Sequence, residues 1–336
     1  MVQVSLPRAP AHRRRGSPAS SGSEESRVWR NTAMATIGFI GLGNMGRHMA
    51  ADQVKAGHEV RGFDLSEQAR EEVAKAGVTP VPTLADLVKG TDAIITMLPK
   101  GDHVRATYLG EEGVIALADK NTILIDSSTI DIASCRAVHE AATEAGLAMV
   151  DAPVSGGPSG AEAATLTFMV GGAPEAVEKA RPFIEPMAGN IFATGGPTTG
   201  EAAKIANNMM LFICLQSCAE GAILAERLGL DAKAFWDIAA VSSGNSWALQ
   251  TWYPVPDIIA SAAANNGFAA NFRTDLARKD IGLALSAAKE VGLDLPAAKE
   301  ATRQFDQLID DGFINYDCSL IIRNYDPNAA GAPKEA

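Results

Sequence analysis

The stretch Ala35-Thr-Ile-Gly-Phe-Ile-Gly-Leu-Gly-Asn-Met-Gly46 decides the fold. Its first half is an apolar strand, and its second half is a G-x-G-x-x-G turn that opens an amphipathic helix running to Lys55. Gly41 can adopt the positive φ of a tight strand-to-helix turn. Gly43 offers no side chain, so a pyrophosphate can approach the backbone, and Gly46 lets the helix pack against the strand. The helix N-terminus then presents free N–H groups and a partial positive charge to the phosphates. A second strand, Glu59 to Phe63, delivers Asp64 about 20 residues beyond the glycines, the spacing of an acidic group that reads a ribose. A lone glycine pattern is weak evidence; strand, turn, helix, strand and acid in order are strong evidence for a dinucleotide.

Composition sets the limits. With 336 residues the chain can build two domains with full cores. A net charge of −11 argues against nucleic acid or an anionic membrane as partner. The four cysteines, Cys135, Cys214, Cys218 and Cys318, have no spacing suited to a disulfide framework, which fits a reducing, cytoplasmic setting. Residues 1–33 differ in kind: His12-Arg-Arg-Arg15 leads into a Ser/Pro/Gly run and Glu24-Glu25, a composition of disorder. That arm has no apolar segment for a secretory signal, its glutamates weaken a transit-peptide reading, and Met34 stands directly before the first strand.

Past Asp64 the strand–helix rhythm continues. Ser66 caps a helix through Lys75, strands are expected at 92–98, 122–126 and 147–150, and a helix at 131–145. Strands at 165–170 and 190–193 flank a helix over 174–187. This alternation implies a doubly wound, mostly parallel sheet in an N-terminal Rossmann domain spanning 34–197. Beyond Pro197 strand signals stop. Residues 199–229 read as one long helix, roughly 45 Å at 1.5 Å per residue, apolar on nearly every side as if buried between others. Lys204, Asn207, Asn208, Gln216 and Glu220 interrupt it too often for a membrane span. Helices at 231–241, 271–291 and 296–311 complete an all-α domain over 198–325, followed by a flexible tail at 326–336.

Three constellations carry chemistry. Ser155-Gly156-Gly157 follows a strand and exposes backbone N–H groups beside a hydroxyl, a cradle for a carboxylate or an ordinary glycine turn. Lys204 and Asn208 share a helix face at i, i+4 spacing, and a lysine in so apolar a helix is costly unless paired, functional or able to reach solvent. Lys279-Asp280 is a third candidate, a pair that is often only a solvated face. None of the five histidines is spaced like a metal ligand, so no metal is expected.

Together these segments resemble the β-hydroxyacid dehydrogenase family over about residues 35 to 325. The resemblance rests on Phe39-Ile-Gly-Leu-Gly-Asn-Met-Gly46, Met97-Leu-Pro99, Asp126-Ser-Ser-Thr-Ile-Asp131, Asp151-Ala-Pro-Val-Ser-Gly-Gly157, Lys204-Ile-Ala-Asn-Asn208, Tyr253-Pro-Val-Pro256 and Lys279-Asp280. It implies oxidation of a short β-hydroxy acid with NAD in a cleft between the two domains. On this resemblance Lys204 is the catalytic acid–base group and Asn208 orients it. Ser155, Gly156 and Gly157 hold the substrate carboxylate. Gly41, Leu42, Gly43, Asn44, Met45, Gly46, Phe63, Asp64, Leu98, Pro99, His103, Thr129 and Lys279 surround NAD. It also implies a homo-dimer or homo-tetramer, with much of the interface on the helical domain.

Some positions depart from the family pattern. Asn245-Ser246 stands where Arg-Cys is usual, Trp252-Tyr253 where Tyr-Asn is usual, and Ala164 and Asp257 where glycine is common. These changes leave the preferred acid open between 3-hydroxyisobutyrate and tartronate semialdehyde or another short acid. A catalytically silent NAD-binding scaffold would have lost the lysine, and Lys204 is present.

Overall fold

The computed structural model describes residues 34–334, so the arm at 1–33 expected to be disordered lies outside them. Nine strands form a single sheet: β1 (Thr36–Ile40), β2 (Glu59–Phe63), β3 (Thr79–Pro80), β4 (Ala93–Thr96), β5 (Ile123–Asp126), β6 (Ala148–Asp151), β7 (Val154–Ser155), β8 (Leu166–Gly172) and β9 (Ala188–Gly195). The order β3-β2-β1-β4-β5-β6 is parallel throughout. The next strand, β8, runs antiparallel to β6 and carries β9 parallel on its far edge. Because β6 and β7 both pair antiparallel with β8, they act as one strand broken at Ala152-Pro153, where proline supplies no N–H to the ladder.

The intervening helices are α1 (Gly46–Lys55), α2 (Glu67–Ala74), α3 (Leu84–Val88), α4 (Gly101–Tyr108), α5 (Val114–Leu117), α6 (Ile132–Glu144), α7 (Gly157–Glu162) and α8 (Pro174–Ile184). They cover both faces of the sheet, as strands without a polar side require. Alternate residues of one strand therefore enter different cores. Ile37 and Phe39 of β1, Ile95 of β4 and Ile125 of β5 lie in one, while Ile40, Ile94 and Leu124 lie in the other.

The second half is helical: α9 (Thr199–Arg227), α10 (Ala232–Ala240), α11 (Trp247–Thr251), α12 (Thr274–Glu290) and α13 (Pro296–Asp310). Its only strand-like features among the described residues are two isolated bridges, Ala269 with Tyr316 and Arg273 with Asp317. Phe212 and Leu215 of α9, Ile281 of α12 and Phe305 of α13 are fully buried, with the Phe212 and Phe305 rings edge-on at 5.6 Å.

Four sequence expectations need correction. The short elements β3, β7, α3, α4, α5, α7 and α11 were not legible, because so few residues carry no period. The helix over 174–187 ends at Ile184 and tightens into a 3-10 turn at Glu185–Met187. Helix α9, long and apolar enough by length and composition to cross a membrane, is not enclosed on all sides. Met210 and Leu224 are each more than 60% exposed, while the opposite face packs on β8 and α12. Finally, the segment from Asp326, read as a flexible tail, packs as far as it is described. Ala329 is buried, Asp326 pairs with Arg227 at 2.8 Å, and Arg323 donates to the Lys334 carbonyl.

The two departures from family glycines, Ala164 and Asp257, both have positive φ, 53° and 63°. A left-handed conformation strains any residue with a Cβ. Ala164→Gly and Asp257→Gly should each raise stability by about 0.5–1 kcal/mol, the relieved strain less the added freedom of the unfolded chain. Urea unfolding of the single variants checks this; a loss of stability in both would refute it.

Candidate active site

Strand order reverses at β1, which lies between β2 and β4, so a crevice opens at the carboxyl ends of these strands. The glycine turn sits there. Gly41 has φ 90°, and a Cβ on it would lie 2.3 Å from the Met97 carbonyl oxygen. A Cβ on Gly46 would lie 1.9 Å from the Gly41 carbonyl oxygen, whereas one on Gly43 would meet nothing within 4 Å. The turn is braced by β2: Gly41 N–H donates to the Phe63 carbonyl at 2.9 Å and Leu42 N–H to the Asp64 carboxylate at 2.8 Å. The other Asp64 oxygen accepts from Ser66 N–H at 2.8 Å. Leu98 and Pro99 follow β4, Thr129 follows β5, and His103 is exposed in the first turn of α4. The whole set expected around the cofactor thus borders one edge of the sheet, with Lys279 reaching it from the helical half.

Lys279 Nζ, on α12, donates to the carbonyls of Thr129 at 2.9 Å and Pro99 at 3.2 Å, and pairs with Asp280 at 3.0 Å. The other Asp280 oxygen accepts from the Asn208 side-chain amide at 2.7 Å. Asn208 and Lys204 are both buried on one face of α9. Burial pushes the Lys204 ammonium below the ordinary lysine range, and Lys279 adds to this while Asp280, and Glu201 when ionised, oppose it. A chain of contacts therefore runs from α9 through Asp280 and Lys279 to the loops after β4 and β5.

The start of α9 is set by Asp151, the last residue of β6. Its two carboxylate oxygens accept from the N–H groups of Thr198 and Glu201, both at 2.9 Å, and His139 lies 2.9 Å away. Thr198 has φ 73°, which swings the chain from the glycine-rich connection into the helix. Four residues past Asp151, Ser155 pairs with Thr167 of β8, and Gly156 and Gly157 turn with φ 134° and 63°. A Cβ on Gly157 would meet nothing within 4 Å. The cradle and the lysine helix are thus both measured from one carboxylate.

Sequence reasoning missed several of these groups. Asp151 and Asp126 enter the sequence reading only inside motifs and Asp280 only as the neighbour of Lys279, while Glu201 gives no signal beyond being an acidic residue in an apolar run. Arg70, whose guanidinium donates to the Asp64 carbonyl, also went unread. Cys135 and His139 stand at i, i+4 on α6, and with Asp151 they place three possible ligand atoms within 4.8 Å of one another. That spacing was visible in the sequence. Both Asp151 oxygens also hold backbone amides, so this carboxylate anchors the start of α9.

A Rossmann crevice linked through Lys279 and Asp280 to a long helix that carries a buried lysine is the architecture of a two-domain NAD(P)-dependent oxidoreductase. The NAD binding domain of 6-phosphogluconate dehydrogenase matches residues 36–196, and the NAD-binding domain of NADP-dependent 3-hydroxyisobutyrate dehydrogenase matches residues 198–325. The chain is 41% identical to an NAD-dependent L-serine dehydrogenase of Pseudomonas aeruginosa, over 88% of this chain and 99% of that one. It is 36% identical to the mitochondrial 3-hydroxyisobutyrate dehydrogenase of Homo sapiens, over 92% of each. Among solved structures, the Mycobacterium tuberculosis 3-hydroxyisobutyrate dehydrogenase with L-serine is similar, with a TM-score of 0.83 and 42% identity over 88% of this chain and 100% of that one. The chain belongs to the β-hydroxyacid dehydrogenase family, as an NAD(P)-dependent enzyme acting on a CH–OH group.

Because Asp151 joins sheet and helix, Asp151→Ala should destabilise by about 3–5 kcal/mol, the range for removing one partner from a buried charged network. Asp237→Ala, which breaks the half-exposed pair with Lys233, should change stability by less than about 1 kcal/mol. Urea unfolding of the two variants checks the contrast; equal effects would place the anchor elsewhere.

Proposed function

We propose that this enzyme oxidises 3-hydroxyisobutyrate to its semialdehyde with NAD, with Lys204 as the general base for the substrate hydroxyl. The observation that carries this reading is Lys204, buried one turn before Asn208 on α9, with Asn208 linked through Asp280 and Lys279 to the cofactor edge of the sheet. The relatives named 3-hydroxyisobutyrate dehydrogenase favour this acid over tartronate semialdehyde. L-serine is the second reading. It shares the 3-hydroxy-carboxylate skeleton, and a relative at 41% identity is named for it. Rates of NADH formation on the two acids decide between them.

The residues fit a dinucleotide. Gly43 leaves open space at the turn, and Asp64 stands at the end of β2 to receive ribose hydroxyls. Nicotinamide, when bound, supplies the hydride acceptor. The chain's own residues do the rest. Ser155 and the N–H groups of Gly156 and Gly157 would hold the substrate carboxylate, Asn208 would orient the hydroxyl, and the Lys204 amine would take its proton. A base must be unprotonated to act, and the burial that lowers the Lys204 pKa favours that form.

We also infer a homo-oligomer and a cytoplasmic setting. Exposed Met210, Leu224, Leu228, Ile238 and Val241 support apolar association through the helical half. All four cysteines are free, which fits a reducing compartment.

Lys204→Ala should lower kcat by about 10²–10⁴-fold with cofactor affinity nearly intact, and Lys204→Arg should not restore it. In the oxidation direction wild-type kcat should fall as pH drops through the lowered Lys204 pKa. Steady-state kinetics against pH, with cofactor affinity from fluorescence titration, is the measurement. An alanine variant within tenfold of wild type would remove Lys204 from the mechanism.

Cofactor choice should follow Asp64. Its carboxylate would repel a 2′-phosphate by roughly 4 kcal/mol at 4 Å and an effective dielectric near 20, which after screening leaves about a hundredfold preference for NAD. Asp64→Ser should narrow that ratio by at least about tenfold, since Arg70 then stands ready for the phosphate. Equal catalytic efficiency of the wild-type enzyme with NAD and NADP would contradict the assignment.

A further inference from the structure

Three carboxyl groups converge where β5 and β6 end and α9 begins: Asp126, Asp151 and Glu201, each 1% exposed or less. Hydrogen-bond accounting separates them. Asp126 accepts from Thr96 Oγ1 at 2.7 Å and from the hydroxyl and N–H of Ser128 at 2.6 and 3.2 Å. Asp151 holds two backbone N–H groups and lies against His139, all at 2.9 Å. Glu201 accepts one long contact, from the Ile130 N–H at 3.3 Å. Its Oε2 is enclosed and has no partner among the described residues. An ionised carboxylate so placed would lose several kcal/mol of hydration with almost nothing in return.

The surroundings press the same way. Burial raises the Glu201 carboxyl well above its ordinary range, Asp126 and Asp151 add repulsion, and the Ile130 amide and Lys279 offset only part. Lys279 is already committed to Thr129, Pro99 and Asp280. The Cys135 thiol feels Asp131 together with Asp126, Asp151 and Glu201, and is itself held protonated. Lys204, one turn further along α9, faces Asp280 and Lys279 from α12 and Glu201 from its own helix.

We propose that Glu201 is held as a neutral carboxylic acid one helical turn before Lys204, and that this neutrality keeps the lysine from being locked as an ammonium ion. Glu201 is then a positioning residue. Oε1 fastens the Ile130 amide, and hence the loop that carries Thr129, while the proton on the group keeps an anion away from the base. An ionised Glu201 would stabilise the Lys204 ammonium and withdraw the base at neutral pH. The kinetic half of this inference rests on the proposed role of Lys204; the protonation half does not.

Infrared spectroscopy in D2O separates the two. The difference spectrum of wild type minus Glu201→Gln should contain the C=O stretch of a protonated carboxyl at neutral pH, well past the ordinary carboxylate range. Asp126→Asn should retain that band, which excludes Asp126, whose carboxyl burial also raises, as its source. Glu201→Gln should keep kcat within about twofold and leave the acid limb of its pH profile in place. Absence of the band at neutral pH overturns the proposal. So does an acid limb that falls by about one pKa unit or more in the glutamine variant, since that would show Glu201 ionised beside Lys204. A band that persists while Lys204→Ala remains active would support the neutral acid and overturn the lysine mechanism instead.

Discussion

The carboxylate of Asp151 is the joint on which the rest of the site depends. It ends β6, the last strand of the parallel run, and accepts from the N–H groups of Thr198 and Glu201, so the first turn of α9 is held at a fixed distance from the sheet. Two glycines make that approach possible. A Cβ on Gly200 would lie 2.4 Å from the Met169 carbonyl oxygen, and one on Gly171 would lie 2.6 Å from the Gly200 nitrogen. The free N–H groups of a helix start favour an anion, and here a buried side chain supplies it. Once the first turn is placed, the 3.6-residue period sets where Lys204 and Asn208 project.

The second joint is made from the opposite side. Lys279 reaches from α12 to two backbone carbonyls of the Rossmann half, and Asp280 carries the connection to Asn208. Few of these groups are in water, which strengthens the pairing of charges and raises the penalty for any left unpaired. That balance separates the two lysines. Lys279 has three oxygen partners, whereas Lys204 has burial around it and Asp280 already shared between Asn208 and Lys279.

The cofactor edge shows how much backbone conformation contributes to a site. Asp64 braces the glycine turn through the Leu42 N–H and also stands where a ribose would be read. Ser128 performs a similar double task, accepting from the Leu98 N–H at 2.9 Å while donating to Asp126 at 2.6 Å. These short polar side chains tie together, in two pairs, loops that leave four neighbouring strands, so the crevice is held by hydrogen bonds as well as by packing.

Local rules made a large part of this protein legible. The glycine turn, the acid after β2, the strand–helix alternation and the long helix with its lone lysine each follow from period, turn chemistry and burial, which act over a few residues. The resemblance joined the Ser155 cradle, Lys204 and Lys279 into one site. What linear spacing could not supply was the company each charged group keeps. Asp151, Glu201 and Asp126 are far apart in the chain and meet only when β5, β6 and α9 pack. The exposed apolar face of α9 was equally hidden, because an all-round apolar helix looks the same whether its own chain covers every side or leaves one bare. The sequence by itself determined the elements and the chemistry they carry. Tertiary structure decided burial and partnership, since both depend on the neighbours that packing brings close.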